Sequence, residues 1–302
     1  MSSMFEQVTA QIVTAIAAGA SEYRMPWHRG QGVGTPANAI TGRPYRGINT
    51  LVLWAEAERA GYSSGAWGTY RQWAECGAQV RKGERSTIVL LWKPINPAKS
   101  DEGAEARSGL LARAFRVFNA AQVDGYEPAL GSVLDSSARI TEAEAFFASQ
   151  PATIWHGSDS AFYDPRADLI SLPPFGAFVS ADAFYSVLAH ELTHWTGAKP
   201  RLDRDLSGRF GTEAYAMEEL VAELGAAFVT GHLGLGCEPR TDHAPYIASW
   251  LSVLGSDPRA IVTAASKAQA AADYLIGFAQ RPRPADEPAA ETPLSQPKGI
   301  AG

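Results

Sequence analysis

The chain has 302 residues, of which 46% are hydrophobic and 19% charged, a composition typical of a globular protein large enough for two domains. No apolar run approaches the roughly 20 residues that a membrane-spanning helix needs, so we expect no membrane partner. The first residues lack a basic segment followed by an apolar one, and Cys76 and Cys237 match no zinc or redox spacing. These features predict a cytoplasmic protein.

The net charge of −6 hides an asymmetry between the two halves of the chain. Residues 1–125 hold 14 Lys and Arg against 10 Asp and Glu, a charge of +4, whereas residues 126–302 hold 12 against 22, a charge of −10. Opposite signs predict two domains with different partners. The first half could bind a polyanion, and the second is too acidic to do so.

The first half predicts an α+β domain over residues 1–125. Thr69 is a candidate N-cap for one of its helices, because its hydroxyl can accept a hydrogen bond from the first turn. Apolar periodicity and turn residues predict these elements in chain order: helices at 4–20, 49–59 and 69–78, then strands at 86–92 and 110–119 around a loop at 97–108.

Basic and aromatic residues are interleaved in the stretch 24–93. It holds ten Lys and Arg against four Asp and Glu, and five of the eight tryptophans. This combination is typical of sites for single-stranded nucleic acid, where cations follow the phosphates and flat rings stack on unpaired bases. The alternative is that the tryptophans belong to the core and the arginines to a solvated face. We favour the core for Trp54 and leave both interpretations open for Trp27, Trp67 and Trp73.

The second half divides into a linker, a mostly helical domain and a disordered tail rich in Pro, Ala and Glu, predicted at 126–139, 140–279 and 280–302. A helix with a capping-type start is predicted from Thr141 to Gln150. Segments 154–156 and 169–172 predict a small antiparallel pair of strands, whose edge could bind an extended peptide by strand addition.

The most specific motif is His190-Glu191-Leu192-Thr193-His194. Two histidines four residues apart lie on one face of a helix, so both imidazoles can bind the same metal ion. Glu191 between them can activate a water molecule. The alternative is a chance pair of histidines on a helix surface. We favour the metal site, because the preceding segment predicts a helix and a second, acidic helix follows.

That second helix, predicted at 215–228, is apolar on nearly all sides and yet carries three glutamates. A buried carboxylate without a partner is costly, and a metal ion supplies one. We predict Glu219 as the third ligand and Glu223, one turn later on the same face, as the carboxylate that orients a ligating histidine. Glu218 points about 100° away and is the competing ligand. Three isolated histidines are weaker candidates: His156, His232 and His243.

Taken together, the motifs resemble the ArdC-type antirestriction proteins of conjugative plasmids and the N-terminal part of TraC-type plasmid primases. The similarity runs in order over about residues 5–278. It is carried by Pro26-Trp27, Tyr45-Arg46-Gly47-Ile48-Asn49, Trp67-Gly68-Thr69 with Gln72, 77–84, the metal motif in 190–197, 215–224 and 246–250.

The resemblance implies an N-terminal domain that binds single-stranded DNA and a C-terminal zincin-like metallopeptidase domain. It also implies a role in protecting incoming plasmid DNA from host restriction. We expect the DNA contacts on matched and basic residues of the first half: Trp27, Tyr45, Arg46, Asn49, Trp67, Thr69, Gln72, Arg81, Lys82 and Lys93.

The expected fold class is therefore α+β, with a mostly helical second domain that includes a small antiparallel sheet. We predict Zn²⁺ held by His190, His194 and Glu219, with Glu191 as the catalytic base; Mn²⁺ also suits these ligands. Tyr215 or Tyr185 could stabilise the oxyanion.

Two rival hypotheses remain open at the level of the sequence. One is a non-catalytic protein that coats single-stranded DNA and carries a structural metal. The other is a metalloprotease that acts on a host protein, such as one related to restriction.

Overall fold

The computed structural model describes residues 4–22, 25–28, 34–94, 110–126, 136–208, 212–237 and 244–280. Among these residues the helices are α1 (Met4–Gly19), α2 (Ile48–Ala60), α3 (Tyr70–Glu75), α4 (Ser136–Ala148), α5 (Ala181–Thr196), α6 (Glu213–His232), α7 (Ala244–Ser256) and α8 (Ala260–Ala279). The strands are β1 (Ala37–Asn38), β2 (Ala66–Thr69), β3 (Gln79–Val80), β4 (Thr87–Pro94), β5 (Leu110–Asn119), β6 (Val123–Asp124), β7 (Thr153–His156), β8 (Phe162–Asp164) and β9 (Leu169–Leu172).

The first half contains a four-stranded sheet in the order β1-β2-β5-β4. Its longest pairing is antiparallel, β4 with β5, and Leu90 lies opposite Ala114 near the middle. These two strands confirm the prediction, and the predicted loop at 97–108 lies outside the described residues. The helix predicted at 69–78 is shorter than expected, because Gly77 adopts a left-handed φ of 79° just after the helix ends.

The second half contains a three-stranded sheet in the order β7-β9-β8. The antiparallel pairing predicted between segments 154–156 and 169–172 is wrong, since β7 runs parallel to β9. The antiparallel partner of β9 is β8, to which a tight turn joins it. The chain passes from β7 to the far edge of the sheet, where it forms β8, and returns as β9 in the middle, so β9 runs in the same direction as β7. The helix predicted from Thr141 begins earlier, at Ser136.

The main hydrophobic core is built from both halves of the chain. Val8, Ile12 and Ile16 of α1 and Trp54 of α2 belong to the same buried cluster as residues of α5, α6 and α8. The ring of Trp54 lies 5.9 Å from that of Phe228 on α6, measured between centroids. A row of fully buried alanines on α8 lets it pack closely against α6: Ala264, Ala265, Ala268 and Ala272.

The mixture of helices with small sheets confirms the predicted α+β class. Of the predicted linker at 126–139, residues 127–135 lie outside the described part of the chain, as does the predicted tail beyond residue 280. None of the helices in the described segments is long and apolar enough to cross a membrane.

Candidate metal centre

Helix α5 presents the two motif histidines to the interior of the protein. The helix begins after Ser180, whose hydroxyl oxygen accepts a hydrogen bond from the amide N–H of Ala183 at 3.0 Å. His190 and Glu191 are 2% and 3% exposed, and His194, one turn further on, is half-buried. Since imidazoles are rarely buried without a polar partner, this burial requires a second element rich in acceptors.

Helix α6 supplies those acceptors and crosses α5 at very short range. Gly225 makes the approach possible, because a Cβ added at this position would lie only 2.5 Å from Cγ2 of Thr193. Any larger residue would push the two helices apart. The close crossing carries Glu219 and Glu223, one turn apart on α6, to the face of α5 that bears the histidines.

The ligand atoms of three predicted residues converge at this crossing. Nε2 of His190 and Nε2 of His194 lie 3.1 Å apart. The carboxylate of Glu219 faces both of them, with Oε2 at 3.5 Å from His190 and Oε1 at 3.6 Å from His194. All three residues offer an atom within 4.8 Å of the others, so a single cation could contact the set. Glu218, the competing ligand, does not belong to this group.

A carboxylate faces the outer nitrogen of each histidine. Nδ1 of His190 lies 3.3 Å from Oε1 of Glu223, as predicted for the residue that orients a ligand, and Nδ1 of His194 lies 3.3 Å from Oε1 of Glu218. The contact at His194 has hydrogen-bond geometry, and a carboxylate beside Nδ1 of either ring favours the tautomer whose Nε2 lone pair points to the centre. We did not predict this role for Glu218 from the sequence, nor the contact of its carboxylate with the buried guanidinium of Arg204 at 2.8 Å.

The cluster carries more negative than positive charge. Burial opposes ionisation of Glu219, but hydrogen bonds with His190 and His194 outweigh it and lower the pKa of the carboxyl. Burial likewise disfavours the charged form of His194, yet the carboxylates of Glu218 and Glu219 raise the pKa of its imidazole. Both pKa shifts reflect the attraction between the buried carboxylates and a positively charged imidazole.

The donor set fits a divalent cation. Four glutamates lie in the cluster, namely Glu191, Glu218, Glu219 and Glu223, whereas Arg204 contributes one positive charge. A divalent cation would offset most of the excess. Two imidazole nitrogens and one carboxylate oxygen form the ligand set of many catalytic zinc sites, and the same atoms also suit manganese.

The cluster opens into a cleft of about 400 Å³. Glu191 lines this cleft together with Phe162 and Tyr163 of β8, which is an edge strand of its sheet. In the described part of the chain β8 pairs with no strand on its outer side, so the cleft has a strand edge beside the ligand set. Of the two tyrosines considered for an oxyanion, Tyr215 lines the cleft. Tyr185 is buried elsewhere, and its hydroxyl donates a hydrogen bond to Glu144.

Comparison with known proteins agrees with this arrangement. A model of the N-terminal domain of anti-restriction factor ArdC matches residues 2–123, and a zincin-like metallopeptidase model matches residues 141–267. The metal-free crystal structure of antirestriction ArdC protein from the R388 plasmid superposes with a TM-score of 0.77 at 39% identity, covering 92% of this chain and 98% of that one. The chain belongs to the ArdC family.

Other relatives of this ArdC-family chain cover it to a similar extent. A Mn(II)-bound structure of the R388 protein has a TM-score of 0.74 at 39% identity and covers 92% of this chain and 99% of that one. Uncharacterized protein y4eC of Sinorhizobium fredii is 52% identical over 279 residues, which are 90% of this chain and 91% of that protein. The DNA primase TraC of Escherichia coli is 39% identical over 294 residues, but the match covers only 27% of the primase.

Two tryptophans that we predicted as DNA contacts of this ArdC-family chain are buried. Trp27 and Trp67 are each 1% exposed. The ring of Trp27 packs 6.4 Å from that of Trp250, and its indole N–H donates to Oε2 of Glu223 at 3.3 Å. Trp67 packs edge-on against Tyr62 in a second core cluster. Since neither ring has a face open to a base, the prediction is wrong for both.

Three predicted polar contacts stabilise the fold itself. Thr69 and Gln72 form a capping box, in which each side chain accepts a hydrogen bond from the other's backbone N–H. The Asn49 amide donates to the carbonyl of Leu90 and accepts from its N–H, both at 2.7 Å. These hydrogen bonds give all three residues a structural role, and their contact with DNA stays a prediction. Tyr45 is half-buried against the second cluster.

The predicted cations that the structure describes are on the surface. The side chains of Arg46, Arg81 and Lys82 are exposed. Arg46 pairs with Asp273 of α8, and Arg81 pairs with acidic neighbours on its own half. Lys93 lies in β4, but its side chain is outside the described residues.

A groove of about 910 Å³ between β4 and α8 was not anticipated from the sequence. Trp92 is 38% exposed and lines it, together with Arg46, Asn49 and Lys267. Trp92 belongs to the basic and aromatic stretch 24–93, but the sequence does not relate it to Lys267, which is 175 positions later in the chain. The groove combines an exposed aromatic ring with two cations, of which Arg46 is paired with Asp273 in the wall of the same groove. This is the basic and aromatic pattern that we expected around Trp27 and Trp67.

Proposed function

We propose that this chain is an antirestriction protein that binds single-stranded DNA and carries a divalent-metal site of the metallopeptidase type. The observation that carries the proposal is the convergence of His190, His194 and Glu219 beside Glu191 in an open cleft. Zn²⁺ is the ion we propose, with Mn²⁺ as the alternative, since the R388 relative has been solved with Mn(II). The biological setting we propose is the entry of conjugative plasmid DNA into a cell with restriction enzymes.

A divalent cation bound to this set would act as a Lewis acid and lower the pKa of a water in the cleft. Glu191 lines the cleft one residue from His190, so its carboxylate is placed to accept a proton from that water. The edge of β8 can bind an extended peptide by backbone hydrogen bonds. Tyr215, in the wall of the cleft, can donate a hydrogen bond to a developing oxyanion.

The test of the site is a restriction-protection assay on the Glu191→Gln protein, with metal content measured in parallel. Glu191 is not in the ligand set, so the variant should retain the cation. Loss of protection with metal content intact would support a catalytic site. Full protection would mean that the metal only stabilises the fold. In that case His190→Ala, which removes a ligand, should lower the melting temperature instead.

For DNA, we propose that the groove between β4 and α8 holds the single strand. The exposed ring of Trp92 can stack on a base, while Arg46 and Lys267 contact phosphates. The predicted cations Arg81 and Lys82 could extend this contact along the first half. The alternative, a protein that only coats DNA, uses the same groove but does not need Glu191.

Trp92→Ala tests the groove. Loss of one stacked base costs roughly 1–3 kcal/mol, so affinity for a single-stranded oligonucleotide should fall by about 5- to 150-fold. Trp155→Ala is the matched control, because Trp155 is 53% exposed but lies on β7 in the acidic half. Equal losses in the two variants, or none in Trp92→Ala, would exclude the groove. A binding constant that does not change with salt would exclude phosphate contacts.

A further inference from the structure

The carboxylate of Glu223 joins the candidate metal centre to the first half of the chain. Its Oε1 lies 3.3 Å from Nδ1 of His190, on the side of the centre. Its Oε2 faces away from the centre and lies 3.3 Å from the indole nitrogen of Trp27 and 3.4 Å from Nε2 of His28. All four side chains are at most 4% exposed, so water does not substitute for these contacts.

The hydrogen-bond direction along this chain of contacts can be assigned. An indole N–H only donates, so Trp27 is a donor to Glu223. Nδ1 of His28 accepts a hydrogen bond from the backbone N–H of Met25 at 2.9 Å. In the neutral imidazole the proton then resides on Nε2, which makes His28 a second donor to the same oxygen. The two donors hold the carboxylate of Glu223 with its Oε1 3.3 Å from Nδ1 of His190.

Packing against α6 and α7 of the second half also holds Trp27 in place. The ring of Trp27 packs against Trp250 of α7, whose indole N–H donates to the carbonyl of Ala216 on α6 at 2.7 Å. Further along α6, the backbone N–H of Thr35 donates to the carbonyl of Gly231. Segments of the first half therefore contact α6 at two places, on the helix that carries Glu219 and Glu223.

We propose that Trp27 and His28 are positioning residues of the metal centre: they fix the rotamer of Glu223, and Glu223 fixes the ring of His190. The proposal rests on the divalent-metal site proposed above. Residues 25–28 belong to the part of the chain matched by the ArdC N-terminal model, and 141–267 to the metallopeptidase match. The affinity of the second half for its cation then depends on two side chains of the first half.

The experiment uses the full-length protein and measures the dissociation constants of Zn²⁺ and Co²⁺ by competition with a chelator. Removing an outer hydrogen-bond partner of a ligating histidine typically weakens metal binding about 10- to 100-fold. Trp27 and His28 act one contact further out, through Glu223, so we expect a loss at the lower end of that range, about 10-fold, in Trp27→Phe, which keeps an aromatic ring in the core but lacks the N–H, and in His28→Leu. His28→Gln should recover most of the affinity, because its amide N–H can replace Nε2.

Trp54→Phe is the matched control. Trp54 is 2% exposed, lies in the same core cluster and donates its indole N–H to a backbone carbonyl, that of Gly34. Its removal should lower the apo melting temperature about as much as Trp27→Phe while leaving metal affinity unchanged. The visible absorption spectrum of bound Co²⁺ should shift in Trp27→Phe and His28→Leu and stay unchanged in Trp54→Phe.

The outcomes separate the two proposals. If the wild-type protein binds neither ion, the metal site itself is refuted. If the wild type binds and Trp27→Phe and His28→Leu bind equally well, the site stands and the positioning role is refuted. Equal losses in all variants, including Trp54→Phe and His28→Gln, would show that loosening of the core alone weakens the site, which also overturns the positioning role.

Discussion

Substitution of Gly225 by alanine tests whether the helix crossing sets the geometry of the metal centre. The added Cβ would lie 2.5 Å from Cγ2 and 2.6 Å from Oγ1 of Thr193. Optimal contact between carbon atoms needs about 3.5 Å, so α5 and α6 would have to separate by about 1 Å. Thr193 cannot move aside, because it is fully buried and its hydroxyl is bonded to the carbonyl of Ala189.

Overpacking of this kind costs about 1–3 kcal/mol. For a chain of this size each kcal/mol lowers the melting temperature by roughly 2–4 °C. The shift would also widen the gap between Glu219 and the histidines, now 3.5 and 3.6 Å, so metal affinity should fall together with stability. The assays are thermal unfolding without metal and a chelator titration with Zn²⁺.

Two further variants make the test specific. In Gly277→Ala, on α8, the new methyl group meets no atom within 4 Å, so this control should gain up to about 1 kcal/mol from helix propensity. Adding Thr193→Ala to Gly225→Ala removes the clashing atoms and should restore metal affinity. If Gly225→Ala binds Zn²⁺ as tightly as the wild type, the close crossing is not what assembles the ligands.

Three further predictions concern the cation and two ion pairs of the second half, Arg204 with Glu218 and Arg201 with Asp168. Saturating Zn²⁺, at about 1,000 times its dissociation constant, should stabilise the protein by about 4 kcal/mol, and EDTA should reverse the rise in melting temperature; no change would refute binding to the folded state. Arg204→Met should weaken Zn²⁺ binding measurably in a chelator titration, because Glu218 loses the guanidinium that holds it beside His194; an unchanged constant would make that contact purely structural. The hydrogen bond from Arg201 lowers the pKa of the Asp168 carboxyl in the folded protein below its unfolded value of 3.8. The ion pair therefore stabilises the fold above pH 3.8, and this stabilisation is lost as the pH falls through the pKa of the folded state. Asp168→Asn should therefore cost under about 1 kcal/mol in urea unfolding at pH 6, with the difference shrinking below pH 3.8.

Much of the centre could be predicted from spacing alone. A separation of four residues places two side chains on the same face of a helix, and this holds for His190 with His194 and for Glu219 with Glu223. The preference for Glu219 over Glu218 used the same geometry, and only Glu219 joins the ligand set. The contact between Glu218 and Arg204 could not be predicted, because it depends on the path of the loop after α5, which carries Arg204.

The DNA-binding residues were harder to predict, because local sequence does not determine exposure. Trp27 has polar and glycine neighbours that are typical of a surface loop, yet it is buried against α6 and α7, which lie more than 180 positions later. Trp73 is buried for a different reason. Its ring packs against Gly68 and occupies the space that a side chain at that position would fill. Both cases depend on tertiary contacts, which a periodic pattern does not describe.

The core that α1 and α2 share with α5, α6 and α8 limits how such chains can be recombined. A half taken from one relative and joined to a half from another would bring together apolar surfaces that have not adapted to each other, and buried Trp54 and Phe228 would meet different neighbours. We therefore expect gene fusions to carry this unit whole. The match with TraC agrees with this expectation, because it covers 91% of this chain but only 27% of the primase.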